Sequence, residues 1–285
     1  MGQSGSKGGS KDEFTYEDSD EGFTDALKIN LQRLIAYAKS ADANLQREVA
    51  EKLANEAVKP DRQVQIVELD GLKLLLPLTQ SKDTEVQRLA AHALANLSVN
   101  CSSHNFIWLH STTPHLHDYY LADNQAKMAN EGGIDMLIHL LQSTNEHVQR
   151  QAAKALANLG VNVDNKEKIA KAGGIKPLIE LARSKQIGVA VEAIAALANL
   201  AVNGNADANE IEIAQEGGLK PIIHGAKSDS MELQSQVARA LRNLSELIIE
   251  LGGVDALQLL VRSPNERICQ QATRALVNLG VNTAE

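Results

Sequence analysis

Residues 155–159 read ALANL, and the same five letters recur at residues 93–97 and 196–200. Close variants occur three more times, as KLANE at 52–56, ALRNL at 240–244 and ALVNL at 275–279. The intervals between successive leucines of this motif are 41, 62, 41, 44 and 35 residues. A period of roughly 40 residues is typical of helical units that stack into a solenoid. The sequence therefore predicts six copies of one helical repeat.

Each repeat divides into three helices. In the copy at 164–203, a short helix ends at Gly173 and Gly174, a second helix follows, and a longer third helix carries the motif. In the copy before it, apolar residues recur at +4, +7, +8 and +11 from Val148, which is one face of a helix. Glycine permits the sharp turn between the first two helices. This turn glycine recurs in the later repeats as Gly71, Gly133, Gly174, Gly218 and Gly253.

The glycine turn and the repeated asparagine of the third helix resemble the armadillo family over residues 25–282. HEAT repeats share the period, but they normally have two helices and lack this turn. The resemblance implies an all-α, right-handed solenoid of about six repeats. We expect a disordered acidic leader at 1–24, then a solenoid over 25–285. The expected repeats lie at about 25–58, 59–100, 122–162, 163–203, 204–245 and 246–282.

The amino-acid composition indicates the cellular compartment of the protein and the classes of partner that it binds. Only 3% of the residues are aromatic while 44% are hydrophobic, which favours a core of small and aliphatic side chains. Two cysteines, Cys101 and Cys269, cannot form a disulfide framework and favour a reducing compartment. The net charge of −8 argues against nucleic-acid binding. We expect a cytoplasmic protein, with peripheral membrane contact and the nucleus as open alternatives.

Two intervals depart from the period. The long one contains 21 extra residues, 101–121, which hold four of the eight histidines, the only tryptophan and Cys101. These residue types are metal ligands, so a metal loop is one interpretation. The spacing matches no zinc pattern, and we favour a surface insertion or an unspliced intron, because loops absorb insertions readily. The short interval lacks six residues after Ser245, which suggests imperfect exon boundaries in the deduced sequence. We expect no metal and no cofactor.

The armadillo resemblance implies that the third helices line an inner groove, where their asparagines hydrogen-bond the backbone of an extended peptide. This asparagine ladder consists of Asn55, Asn96, Asn158, Asn199, Asn243 and Asn278. Residues four and eight positions earlier share the helix face with each asparagine, and many are basic. They include Arg47, Arg88, Arg150, Lys154, Arg239 and Arg274.

Basic side chains beside an amide ladder predict capture of an extended acidic peptide. The alternative is a solvated helix face with no ligand. In the repeat that contains Asn199, the corresponding groove residues are Ala195, Val191 and Glu192. They interrupt the run of positive charge. No ladder asparagine has a tryptophan four residues before it, the arrangement that nuclear-import adaptors use for basic cargo, so import activity is not expected.

The two ends of the chain suggest further contacts. The start, MGQSGSK, fits N-myristoylation of Gly2, a further resemblance to myristoylated vacuolar adaptors built from armadillo repeats. One myristoyl chain binds membranes marginally, so we expect at most weak contact; a disordered Gly/Ser-rich leader is the alternative. The acidic leader is also a candidate competitor for the groove. At the other end, a solenoid without a cap exposes its stacking face, which predicts self-association, fraying or a missing continuation.

These features together predict a non-enzymatic scaffold or adaptor whose partners are other proteins. The sequence has no phosphate-cradling glycine loop, nucleophile elbow or metal-binding helix motif. The alternative is that the repeats recruit the substrate or cargo of a larger enzyme, such as a ubiquitin ligase or a kinesin.

Overall fold

The computed structural model describes residues 22–99, 125–202, 206–244 and 252–281, and all regular structure in these ranges is helical. The first two repeats contain α1 (Gly22–Ala38), α2 (Ala43–Glu56), α3 (Pro60–Glu68), α4 (Leu72–Thr79) and α5 (Thr84–Leu97). The third and fourth contain α6 (125–130), α7 (Gly133–Leu141), α8 (Glu146–Leu159), α9 (Val163–Lys171), α10 (Ile175–Ala182) and α11 (Ile187–Leu200). The last two contain α12 (Ala206–Gln215), α13 (Leu219–Gly225), α14 (Met231–Asn243), α15 (Gly253–Val261) and α16 (Glu266–Asn278).

Several predictions concern residues that lie outside the described ranges. Gly2 and most of the leader lie outside them, as do the insertion at 101–121 and the junction after Ser245. Helix α1 begins at Gly22, inside the stretch assigned to the leader, and departs from helical geometry at Asn30. Within the described ranges, no helix combines the length and the apolar character needed to cross a membrane.

Side-chain caps define where most third helices begin. The Asp83 carboxylate accepts hydrogen bonds from the backbone N–H groups of Glu85 and Val86, at 2.8 and 3.2 Å. These bonds satisfy donors that the first turn of a helix leaves unpaired. Four other third helices also begin at a side-chain cap. Asn145 and Asn265 accept from two N–H groups, and Asp42 and Ser230 accept from one. Helix α11 is different, because Gln186 at its cap position makes no side-chain capping bond.

The glycine pair between the first and second helices has two distinct functions. Gly173 adopts φ +76°, the left-handed region that an L side chain enters only with strain. Gly174 lies so close to α9 that a Cβ there would approach Cγ2 of Ile169 to 2.8 Å. The first glycine therefore permits the turn, and the second permits the two helices to touch.

The third helices form one continuous layer. Each of them, from α2 through α5, α8, α11, α14 and α16, packs directly on the next, whereas the second helices of neighbouring repeats touch much less. The motif leucines supply the core of this layer, and Leu94, Leu156 and Leu197 are fully buried. Because the elements on the inside of a curved array lie closest together, we infer that the third helices line its inner surface.

Candidate peptide-binding groove

The asparagine ladder lies near the end of each third helix. The four internal members, Asn96, Asn158, Asn199 and Asn243, are half-buried between neighbouring repeats. The two terminal members, Asn55 and Asn278, are exposed. The ladder therefore follows the whole third-helix layer.

Three ladder amides are fixed by hydrogen bonds to the preceding third helix. Nδ2 of Asn199 donates to the Ala157 carbonyl at 2.7 Å, and Nδ2 of Asn243 donates to the Ala198 carbonyl at 2.9 Å. Nδ2 of Asn158 donates to Oγ of Ser98 at 3.1 Å. Each bond uses one of the two N–H groups of the amide, so the second N–H retains bonding capacity. Oδ1 of Asn243 already accepts from Nε of Arg242 at 3.3 Å.

Asn96 differs from these three. Its Nδ2 is buried and has no hydrogen-bond partner within the described part of the chain. A buried donor without a partner costs free energy, so this position favours any acceptor that reaches it.

In the first half of the groove, the predicted basic side chains are paired with carboxylates. Arg47 contacts Asp83 across the repeat boundary at 2.7 Å, and Arg88 contacts Glu85 at 2.6 Å. The Glu85 pair lies within one helix, three residues apart. Their positive charge is therefore largely balanced within the protein.

The middle of the groove contains an acid among bases. Arg150 lies 3.9 Å from Glu192, and its Nε lies where a Cβ on Gly188 would approach it to 3.3 Å. Burial raises the pKa of Glu192, while neighbouring Lys154 and Arg150 act in the opposite direction. Glu192 occupies the position that is glutamine in the other late repeats. The break in positive charge at Glu192 was predicted from the sequence, but the contact between Arg150 and Glu192 was not.

His92, four residues before Asn96, also lies in this basic environment. Burial lowers its pKa, and the charges of Arg88 and Lys154 lower it further. The neutral form of His92 is therefore favoured mainly by burial, and the two nearby cations add to the effect.

In the described part of the last two repeats, the basic side chains of the groove have no carboxylate partner. Arg239 is half-buried and donates from Nη2 to the Ala195 carbonyl at 3.2 Å, while its Nε is buried without a partner in the described ranges. Burial lowers the pKa of Arg239, and Arg242 and Arg267 lower it further. Arg274 is exposed and, among the described residues, pairs with no carboxylate.

Two arginines next to Arg239 were not among the groove residues predicted from the sequence. Arg242 and Arg267 are close enough to act on Arg239 but lie outside the positions four and eight residues before the asparagines. Arg267 precedes Asn278 by three helical turns, so extending the same face by one turn would have found it. Two glutamines that lie seven residues before a ladder asparagine, Gln236 and Gln271, each bury an Oε1 without a partner in the described ranges.

The groove thus combines ordered amides with a charge that changes along its length. The first half is balanced, and the second half has several arginines without acidic partners among the described residues. No group of three or more potential metal ligands occurs in the parts of the chain that are described.

The model of the armadillo/beta-catenin-like repeat family matches residues 59–99, 122–161, 162–202, 206–246 and 245–281. The two matches on either side of the insertion omit residues 100–121. No curated protein matches the chain in sequence.

Solved structures of designed proteins have the same architecture. One engineered protein is 32% identical with a TM-score of 0.70, covering 88% of this chain and 96% of its own. A designed armadillo repeat protein in complex with the peptide (KR)4 is 23% identical with a TM-score of 0.73, covering 87% of this chain and 99% of its own. The predicted right-handed α-solenoid is confirmed, and the chain belongs to the armadillo-repeat family.

Proposed function

We propose that this chain is a non-enzymatic scaffold that binds extended segments of partner proteins along its third helices. The observation that carries the proposal is the asparagine ladder, in which Asn158, Asn199 and Asn243 are each held by one cross-repeat hydrogen bond. Amides held in this way present donors and acceptors at regular intervals, which suits the regularly spaced peptide units of an extended chain. Because the side chain of the ligand is not involved, this part of the recognition is independent of its sequence.

The finer part of the proposal is that the bound segments are acidic. Arg239, Arg242, Arg267 and Arg274 form the positive end of the groove, and a guanidinium binds a carboxylate through two parallel hydrogen bonds. The designed protein solved with (KR)4 holds a basic peptide, but the likeness at 23% identity concerns the fold. The charge preference of this chain therefore depends on its own side chains.

Peptides in which serine alternates with one other residue test both the binding to the groove and the preference for acidic side chains. In an extended peptide, side chains alternate between two sides, so (Glu-Ser)4 directs all of its carboxylates to one side. Fluorescence anisotropy with labelled (Glu-Ser)4, (Gln-Ser)4 and (Lys-Ser)4 should show the tightest binding for the first. Failure of all three to bind would contradict the groove itself, whereas equal binding of all three would contradict only the charge preference.

A pair of charge reversals locates the interaction. Arg274→Glu should weaken (Glu-Ser)4 binding roughly five- to tenfold, because it replaces an attraction by a repulsion at the edge of the groove. Arg262→Glu is the matched control, since Arg262 is also exposed but caps the end of the second helix α15 and is not one of the groove positions. Equal losses in the two variants would show that the overall charge, and not the groove, controls binding.

The proposal also includes weak membrane contact through a myristoyl group on Gly2, which rests on the sequence motif alone. In cells, Gly2→Ala should reduce the membrane-bound fraction, while Gly5→Ala, which leaves the acceptor glycine in place, should not. An unchanged membrane-bound fraction in the Gly2→Ala variant would contradict the acylation of Gly2.

A further inference from the structure

A cleft of about 660 Å³ lies between the fourth and fifth repeats, where the second helices turn into the third. It contains no member of the asparagine ladder and none of the basic groove residues. Its walls come from the turn after α10, from α13, and from one side of α11 and α14. The cleft is therefore a separate feature of the array.

A missing glutamine opens one wall of this cleft. Four residues after the cap, Gln87, Gln149 and Gln234 each donate from Nε2 to the serine carbonyl of the preceding turn, at 2.7–2.9 Å. This bond folds the long side chain over the turn. The corresponding residue of α11 is Ala190, which lines the cleft and leaves that space empty.

A missing leucine changes the packing of the opposite wall. Seven residues after the turn glycine, the other repeats place a buried leucine, namely Leu78, Leu140, Leu181 and Leu260. The fifth repeat has Gly225 there, and a Cβ at Gly225 would approach Cγ2 of Val237 to 2.8 Å. Helix α13 therefore lies directly against α14. The floor of the cleft is apolar and consists of Ala190, Ile194, Pro221 and Leu233.

The rim of the cleft is positive. Lys185, Lys220 and Lys227 line it, all three are exposed, and no carboxylate of the described residues pairs with them. Arg183 is engaged elsewhere, since it contacts Glu180 at 2.5 Å and the Gly217 carbonyl at 3.4 Å. No aspartate or glutamate belongs to the lining.

The equivalent cleft between the first two repeats lacks these properties. It measures about 480 Å³ and has Gln46 in its lining, where Gln46 donates to the Ala38 carbonyl and accepts from Oγ of Ser81. Its rim contains Asp83 together with Lys39 and Lys82, so the two charges are mixed. An apolar floor under an unbalanced positive rim is therefore not a general property of the repeat.

We propose that the cleft between the fourth and fifth repeats is a second binding site, for a small organic anion that joins an apolar body to a phosphate or carboxylate. The apolar floor would bury the body, while the lysine ammonium groups would bind the anion as mobile point charges. This inference is independent of the peptide groove.

A simple probe is 1-naphthyl phosphate, with 1-naphthol and inorganic phosphate as its two halves. Titration of the full chain, followed by amide chemical shifts, should show saturable binding of the whole probe at residues of α13 and the turn after α10. We expect each half to bind at least about tenfold more weakly, because each loses one of the two contributions. Equal affinity of the probe and inorganic phosphate would show charge attraction alone and would overturn the proposal.

Two variants test the site without relying on one mutation. Ala190→Gln introduces the residue found at this position in the first, second, third and fifth repeats, so it should fold and should weaken probe binding about tenfold by filling the cleft. Lys220→Gln with Lys227→Gln should weaken it similarly, and Lys39→Gln with Lys82→Gln at the first cleft is the matched control. Wild-type affinity in both the Ala190 and the Lys220 variants, or an equal loss in the control, would refute the assignment.

Discussion

Asn199 shows how one side chain serves both the array and its surface. One N–H of its amide bonds the Ala157 carbonyl of the preceding repeat at 2.7 Å. That bond orients the amide, so a ligand would meet a group whose position is already fixed. Pre-ordering of this kind lowers the entropy lost on binding. We infer that the ladder asparagines also stabilise the stacking of repeats.

Replacing Asn199 by alanine should therefore reduce stability even without ligand. The substitution removes a half-buried hydrogen bond, and we expect a loss of about 1–2 kcal/mol in the free energy of unfolding. Urea unfolding would measure it. Asn278→Ala is the control, because Asn278 holds the same helical position but is exposed. A loss of the same size in both variants would contradict the stacking function.

The contribution of Glu192 to stability should depend on pH. Its pKa is raised by burial, so its contribution to stability is present below the unfolded-state pKa and is lost as pH rises through the folded-state pKa. Relative to Glu192→Gln, the wild type should therefore lose stability as pH rises above about 4, where the carboxyl group ionises in the unfolded state. Urea unfolding at several pH values would measure this difference.

Glu85 provides the opposite control. Its hydrogen bond with Arg88 lowers the pKa of Glu85, so its contribution is present at higher pH and is lost as pH falls through the folded-state pKa. Glu85→Gln should therefore show the reverse trend against the wild type. The same trend in both variants would mean that the burial of Glu192 does not control the effect.

At the scale of single helices, α11 is the unusual member of its layer. It lacks a side-chain cap and the glutamine that bonds back to the turn, and its groove positions, Val191 and Ala195, are apolar and buried. The arginines of the neighbouring helices α8 and α14 extend over it, Arg150 toward Glu192 and Arg239 toward the Ala195 carbonyl. One atypical helix thus shapes both the groove and the cleft.

The missing cap can be supplied. Gln186→Asn should stabilise the protein by about 1 kcal/mol, because asparagine at this position bonds the unpaired N–H groups of the first turn. Thermal unfolding would measure the gain. The reverse change, Asn145→Gln in α8, should cost a similar amount, since the Asn145 oxygen accepts from His147 and Val148 at 2.9 and 3.2 Å. No change in either variant would contradict the importance of these caps.

The sequence predicted the helices better than the interactions between them. The motif leucines and turn glycines follow fixed local spacing, so the three-helix repeat could be read directly. The pairing of Arg47 with Asp83 joins residues 36 positions apart, and only the stacking of repeats brings them together. The cleft at Ala190 was missed for a related reason, because an absent side chain becomes visible only when the repeats are aligned by position.

At the scale of the whole molecule, the net charge and the charge of the groove oppose each other. The chain carries −8 overall, yet the end of the groove in the last two repeats contains arginines without acidic partners among the described residues. The average field repels an acidic peptide, while the local field attracts it. The ionic-strength dependence of binding shows which field dominates.

We expect the affinity for (Glu-Ser)4 to fall as salt rises from about 50 to about 500 mM, because salt screens the local attraction. Anisotropy titrations at several salt concentrations would measure this, and (Gln-Ser)4 should show little dependence. An affinity for (Glu-Ser)4 that rises with salt would mean that the net charge dominates and that the groove does not attract acids.

Binding of an extended ligand along the third helices can be tested by site-resolved cross-linking. A (Glu-Ser)4 peptide with a photoreactive group at one end would be irradiated with the full chain, and the attachment sites located by mass spectrometry. We expect cross-links on α11, α14 and α16 that shift along the layer when the group is moved to the other end. Cross-links confined to first and second helices, or unchanged by moving the group, would contradict it.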